Sequence, residues 1–156
     1  MNLARKGSAS CAINGAVYVF CGFGADTMPL NSVEMLADAG SSIGLLESWK
    51  LIYIPEAVLS PRWLPAATAL NENEIVITGG CTYLDDEIEC LGDVILFNIE
   101  SEQAQKVIKN YAGLLQFCAP NNQIACVDDN TIVCFGENLD DQEGYIVEYK
   151  KGGKML

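Results

Sequence analysis

The chain has 156 residues and a formal net charge of −12 at pH 7, with half of its residues hydrophobic and 19% charged. That composition is globular, and its excess of carboxylates excludes a role that needs concentrated Lys and Arg along a phosphate backbone. The absence of histidine excludes a Ser-His-Asp triad, a Cys-His dyad and any imidazole-ligated metal within these residues.

Along the chain the first pattern is Ser8 to Ile13, a turn at Asn14-Gly15, and Ala16 to Phe20. Asn-Gly between apolar runs is the strongest short hairpin signal, because a type I′ turn needs positive φ at both central residues. Cys21-Gly22 closes that hairpin, and a β-rich run follows at Ser32 to Leu36 and another at Ser48 to Ile54. The same plan returns with Ala66 to Leu70, a turn at Asn71 to Asn73, Glu74 to Thr78, and Gly79-Gly80. Further runs follow at Asp93 to Asn98 and Gln105 to Ile108. A third copy has Gln123 to Val127, a turn at Asp128 to Asn130, Thr131 to Phe135, Gly136, and then Tyr145 to Tyr149. The spacing predicts three units, over 1–59, 60–116 and 117–156, the last lacking its fourth strand. Each full unit offers four strands in order. Continuous apolar second strands such as Glu74 to Thr78 predict sheets buried on both faces. Alanines in the first strands suit a crowded inner edge. A phosphate-cradling role for Gly79-Gly80 lacks the helix start with Lys that it requires, since Cys81-Thr-Tyr-Leu follows.

Seven cysteines, an odd number with no CxxC, read as buried thiols and point to a reducing, cytoplasmic setting. The N-terminal residues lack the apolar core of a signal peptide, and no run is long enough to span a membrane.

Four-stranded units repeating at this interval are the sequence sign of propeller blades. The residues here resemble the kelch repeat: Gly79-Gly80 ending a second strand, reduced to Cys21-Gly22 and Phe135-Gly136; Val33-Glu34 opening a third strand; Trp49 in a fourth; and an arginine nine residues ahead of the hairpin turn, at Arg5 and Arg62, with Ala119 in the third copy. The resemblance implies an all-β fold of four-stranded antiparallel blades forming an incomplete ring. It implies structural roles for Arg5, Arg62, Glu34, Trp49, Gly22, Gly79, Gly80 and Gly136. Three blades leave apolar faces and strand edges open, so another protein chain or further blades are expected to complete the ring, and the isolated chain is expected to self-associate.

Loops after the glycines carry Asp26, then Asp85, Asp86, Glu87 and Glu89, then Asp140, Asp141 and Glu143. A propeller would gather them on one acidic rim able to steer a basic protein surface. Trp63, Tyr83 and Tyr111 are candidate exposed anchors, since aromatic residues dominate binding hot spots. Ca²⁺ in either acidic loop is an open alternative, although neither follows EF-hand spacing. No cofactor is expected. The reading is a non-catalytic protein-interaction module, a scaffold or adaptor. Its alternatives are a small structural subunit docked in a larger assembly and a kelch-like enzyme acting on a sugar.

Overall fold

A computed structural model describes residues 1–37, 48–108, 123–137 and 144–151. Among the described residues there are thirteen β-strands and no helix. Strands β1 (Ala9–Ile13), β2 (Ala16–Phe20), β3 (Ser32–Leu36) and β4 (Lys50–Tyr53) form one antiparallel sheet in chain order. Strands β5 (Ala66–Asn71), β6 (Glu74–Thr78), β9 (Val94–Asn98) and β10 (Gln103–Ile108) form a second with the same order. Strands β7 (Cys81–Leu84) and β8 (Glu87–Cys90) make a separate hairpin inserted between β6 and β9. Strands β11 (Gln123–Asp128), β12 (Thr131–Glu137) and β13 (Gly144–Lys150) form a third sheet.

Local chemistry sets the turns. Asn14 and Gly15 both take positive φ, 49° and 77°, as a type I′ hairpin demands. The other two hairpins use side-chain caps instead: Asn71 Oδ1 accepts from the Asn73 amide at 3.0 Å, and Asp128 Oδ1 accepts from the Asn130 amide at 2.9 Å. Both of these hairpins carry a register shift just before the turn, between Ala69 and Asn71 and between Cys126 and Asp128. The Asn14 side chain also reaches across to the neighbouring sheet, donating to the Glu72 carbonyl at 2.7 Å.

Alternation of side chains along each strand then decides the packing. Tyr18, Phe20, Val33 and Ile52 of the first sheet meet Ile75, Ile77, Ile95 and Phe97 of the second. The rings of Tyr18, Phe20 and Phe97 lie 5.7–6.4 Å apart at their centroids, with Phe97 edge-on to both others. The opposite face of the second sheet, with Leu70, Val76, Val94 and Leu96, meets Ile132 and Cys134 of the third. The middle sheet is therefore covered on both sides, which is why β6 and β9 read as unbroken apolar runs. Each fully buried Ile or Phe contributes about 1.5–3 kcal/mol. First strands β1, β5 and β11 are neighbours in space, and alanines such as Ala9 and Ala66 let them approach.

The end sheets are different. Their outward faces carry Val17, Leu51 and Tyr53 on one side and Val133 and Phe135 on the other, with Tyr53 77% and Phe135 42% exposed.

Three expectations are corrected. Residues 81–90 are a β-hairpin and not a polar loop, because Asp85 and Asp86 adopt the paired positive φ (50° and 65°) of a two-residue turn without glycine. Turn register aligns Gly136 with Gly79, not Gly80, and β12 runs on through Gly136 to Glu137, pairing with Tyr145 and Gly144, so the third copy has no glycine corner. Trp49 lies just before β4 and is half-buried, outside the core clusters.

Candidate functional site

Two corners, one in each four-stranded sheet, end strands β2 and β6. In the first, Cys21 and Gly22 take φ of 59° and 93°; in the second, Gly79 and Gly80 take 68° and 89°. A Cβ on Gly22 would lie 2.8 Å from the Lys6 carbonyl oxygen, and one on Gly80 would lie 2.7 Å from that of Trp63. The next residues pair in the same way, Phe23 with Lys6 and Cys81 with Trp63.

An arginine fills each corner. Arg62 donates to the Gly79 carbonyl at 3.0 Å and grips both oxygens of Asp93 at 2.6 and 2.9 Å. Arg5 donates to the Cys21 carbonyl at 2.9 Å, to Ser32, and to Glu34 at 2.9 Å. Both side-chain pairs are essentially sealed from solvent. Burial pushes the Asp93 carboxyl up, but hydrogen bonds and charge from Arg62 and Lys106 outweigh it and hold the group below the usual carboxylate range. Glu34 is held low against the same burial by the amides of Asn2 and Leu3 and by Arg5. Asp93 went unrecognised in the sequence, where it reads only as the start of a strand. Register hides it further, since the position matching Asp93 in the first sheet is Ser32, which Arg5 also engages, and Glu34 stands two residues further along. These residues build the scaffold and face inward.

The outward chemistry sits on the β7–β8 hairpin. Tyr83 stands directly opposite Ile88, and the two are 48% and 65% exposed; Leu84 at the end of β7 is 57% exposed. Asp85 and Asp86 form the turn, and Glu87 and Glu89 lie on β8, all exposed. Behind Tyr83 the rings continue inward: Tyr83 to Trp63 at 4.8 Å, Trp63 to Phe23 at 4.6 Å, with the Lys6 ammonium 5.6 Å from the Phe23 centroid. Trp63 is only 8% exposed and belongs to a small buried cluster with Cys81. It therefore supports Tyr83 from within and is not the exposed side chain the sequence suggested. Its indole clamps Tyr83 from below, where sequence reasoning treated the two as equals. Asp26 lies in the exposed loop after the first corner, where its Oδ1 accepts from the Met28 amide at 3.1 Å. Tyr111, Asp140, Asp141 and Glu143 fall outside the described residues.

Ile88 was missed because it sits between Glu87 and Glu89, and Leu84 because Asp85-Asp86 follows it, in a stretch that reads as loop. The available clue was the period-two placement of Cys81 and Tyr83 before Asp85-Asp86 and of Ile88 and Cys90 after them. Among the described residues no group of three or more acidic or cysteine side chains is arranged to hold a metal ion, and no helix is long and apolar enough to cross a membrane. Compared with protein-family models and with curated proteins, the sequence matches none.

Proposed function

We propose that the chain is a run of kelch-like propeller blades that binds another protein without chemistry, through the β7–β8 hairpin. Three features support the blade reading. Both complete sheets share one strand order, the sheets stack face to face with their first strands adjacent, and the arginine–carboxylate corner occurs twice. The observation that carries the binding role is the exposed Tyr83–Ile88 pair, set among four carboxylates on a projecting hairpin. Apolar contact area ringed by charge is the composition of an interaction surface, and the sign of the charge selects a basic partner. An odd cysteine count favours a reducing, cytoplasmic setting for this role.

The partner expected is a protein segment presenting an apolar or aromatic side chain flanked by Lys or Arg. The test uses an array of peptides of that composition, probed with the full chain and with a Tyr83→Ser/Ile88→Ser variant. Binding should weaken about tenfold or more in the variant, since truncating central anchors costs about 2 kcal/mol or more. It should also weaken as salt is raised. Peptides that bind both proteins equally, or none that bind the wild type, would remove the hairpin from the role.

A second reading, a structural subunit docked through its end sheets, is favoured by one specific observation: the outward apolar side chains Tyr53 and Phe135.

A further inference from the structure

The hairpin that carries Tyr83 and Ile88 begins with two cysteines directly opposite each other, Cys81 on β7 and Cys90 on β8. In antiparallel strands, opposed residues alternate between pairs that exchange both backbone hydrogen bonds and pairs that exchange none. The second kind has the closer side chains, with Cα atoms about 4.5 Å apart. The backbone of Cys81 decides which kind this is. Its amide donates to the Trp63 carbonyl at 2.8 Å, and its carbonyl accepts from the Trp63 amide at 3.0 Å. Both groups therefore point away from β8. The next bond towards β8 comes one residue earlier, from the Leu91 amide to the Gly80 carbonyl at 2.9 Å. Cys81 and Cys90 are thus a non-hydrogen-bonded pair. Disulfide-linked cysteines have Cα separations of about 4.4–6.8 Å, so the spacing of such a pair admits an S–S bond without parting the strands.

Burial gives the two thiols different parts. Cys81 is 4% exposed, whereas Cys90 is half-buried and within reach of a reagent in water. The other described cysteines lack this arrangement. Cys11 stands opposite Tyr18 and Cys126 opposite Ile132, while burial pushes the thiols of Cys21 and Cys134 up to about 12.

We propose that Cys81 and Cys90 are a redox-modifiable site that closes into a reversible cross-strand disulfide by exchange with a small soluble disulfide such as oxidised glutathione. Cys90, deprotonated, attacks one sulfur of oxidised glutathione, which forms a mixed disulfide on Cys90 and releases one glutathione thiolate. The Cys81 thiolate then attacks the Cys90 sulfur, forming the Cys81–Cys90 bond and expelling the second glutathione. The cysteine pair loses two electrons to the glutathione disulfide, and the two departing thiolates take up the two protons. The inference is independent of the docking role, since it rests on backbone register and on the exposure of the two cysteines.

The test incubates the full chain with oxidised or reduced glutathione, blocks remaining thiols with an alkylating agent, and maps the peptides by mass. Oxidised glutathione should yield a peptide linking Cys81 to Cys90. Alkylation of Cys90 should fall about tenfold or more against the reduced sample, with no glutathione retained there. In Cys81→Ser the reaction should stop with glutathione on Cys90. In Cys90→Ser, a change at the half-buried position, Cys81 should stay reduced, with an unchanged circular dichroism spectrum showing that the fold persists. The proposal is overturned if wild-type Cys90 remains alkylatable, if glutathione persists on it, or if the bridge joins either residue to a different cysteine.

Discussion

Arg62 and Asp93 concentrate the largest single-residue risk in the molecule. Removing one member of a sealed ion pair strands the other charge without water, at a cost of about 3–5 kcal/mol. Lys106, at 2.9 Å from Asp93, offsets part of that for the carboxylate. Arg62→Leu should therefore destabilise by about 3 kcal/mol in urea unfolding, while Arg62→Met combined with Asp93→Leu should recover most of the loss. The same groups set the acid response. Both Asp93 and Glu34 titrate below their ordinary range in the folded chain, so their contribution is complete above the unfolded values of about 4 and disappears as pH falls through the folded ones. Urea midpoints should be level from pH 7 to about 5 and drop steeply below about 4; Asp93→Asn should flatten that drop. Glycines differ by what surrounds them. Gly80→Ala meets the Trp63 carbonyl as well as an unfavourable φ and should cost about 3 kcal/mol by thermal unfolding. Gly15→Ala meets nothing within 4 Å and should cost only the strain, about 1 kcal/mol.

At the level of strands, sequence periodicity was a good guide wherever packing and turn chemistry agreed. Glu74 to Thr78 and Asp93 to Asn98 announce strands because both faces of their sheet are buried, and the structure has strands at Glu74–Thr78 and Val94–Asn98. The β7–β8 hairpin was illegible for the complementary reason. It is exposed on most of its surface, so four carboxylates interrupt its apolar residues, and its turn uses Asp-Asp where Asn-Gly would have advertised it. The third glycine misled for a different cause. Gly136 resembles the corner glycines in sequence, but only one glycine is present and the chain there keeps pairing with β13. The supporting role of Trp63 was likewise hidden, since its partners Phe23 and Tyr83 lie 40 and 20 residues away in sequence and meet it only through the paired corners.

For the whole chain, face-to-face stacking leaves two ends of unequal polarity to the middle. The side chains on the outward face of the first sheet occupy the positions that Ile75 and Ile77 hold in the second, where they are fully buried. Such faces associate when charge repulsion allows. With a net charge of −12 at pH 7 and an isoelectric point of about 4.2, self-association should increase as pH falls towards that value. Tyr53→Ser and Phe135→Ser, each changing one end, should lower the light-scattering mass relative to wild type at equal concentration. An unchanged mass would mean that the ends are not where copies meet.

The hydrogen bond from Asn14 to the Glu72 carbonyl ties together two sheets through an amide that is followed by glycine. Asparagine before glycine is the pairing most prone to lose ammonia through a cyclic imide, and the products carry either an acid or an extra backbone methylene in its place. The donor vanishes in both, a negative charge appears beside a carbonyl oxygen, and the two-residue turn between β1 and β2 no longer has the atoms that shape it. Stored protein will thus age first at the seam between its first two sheets.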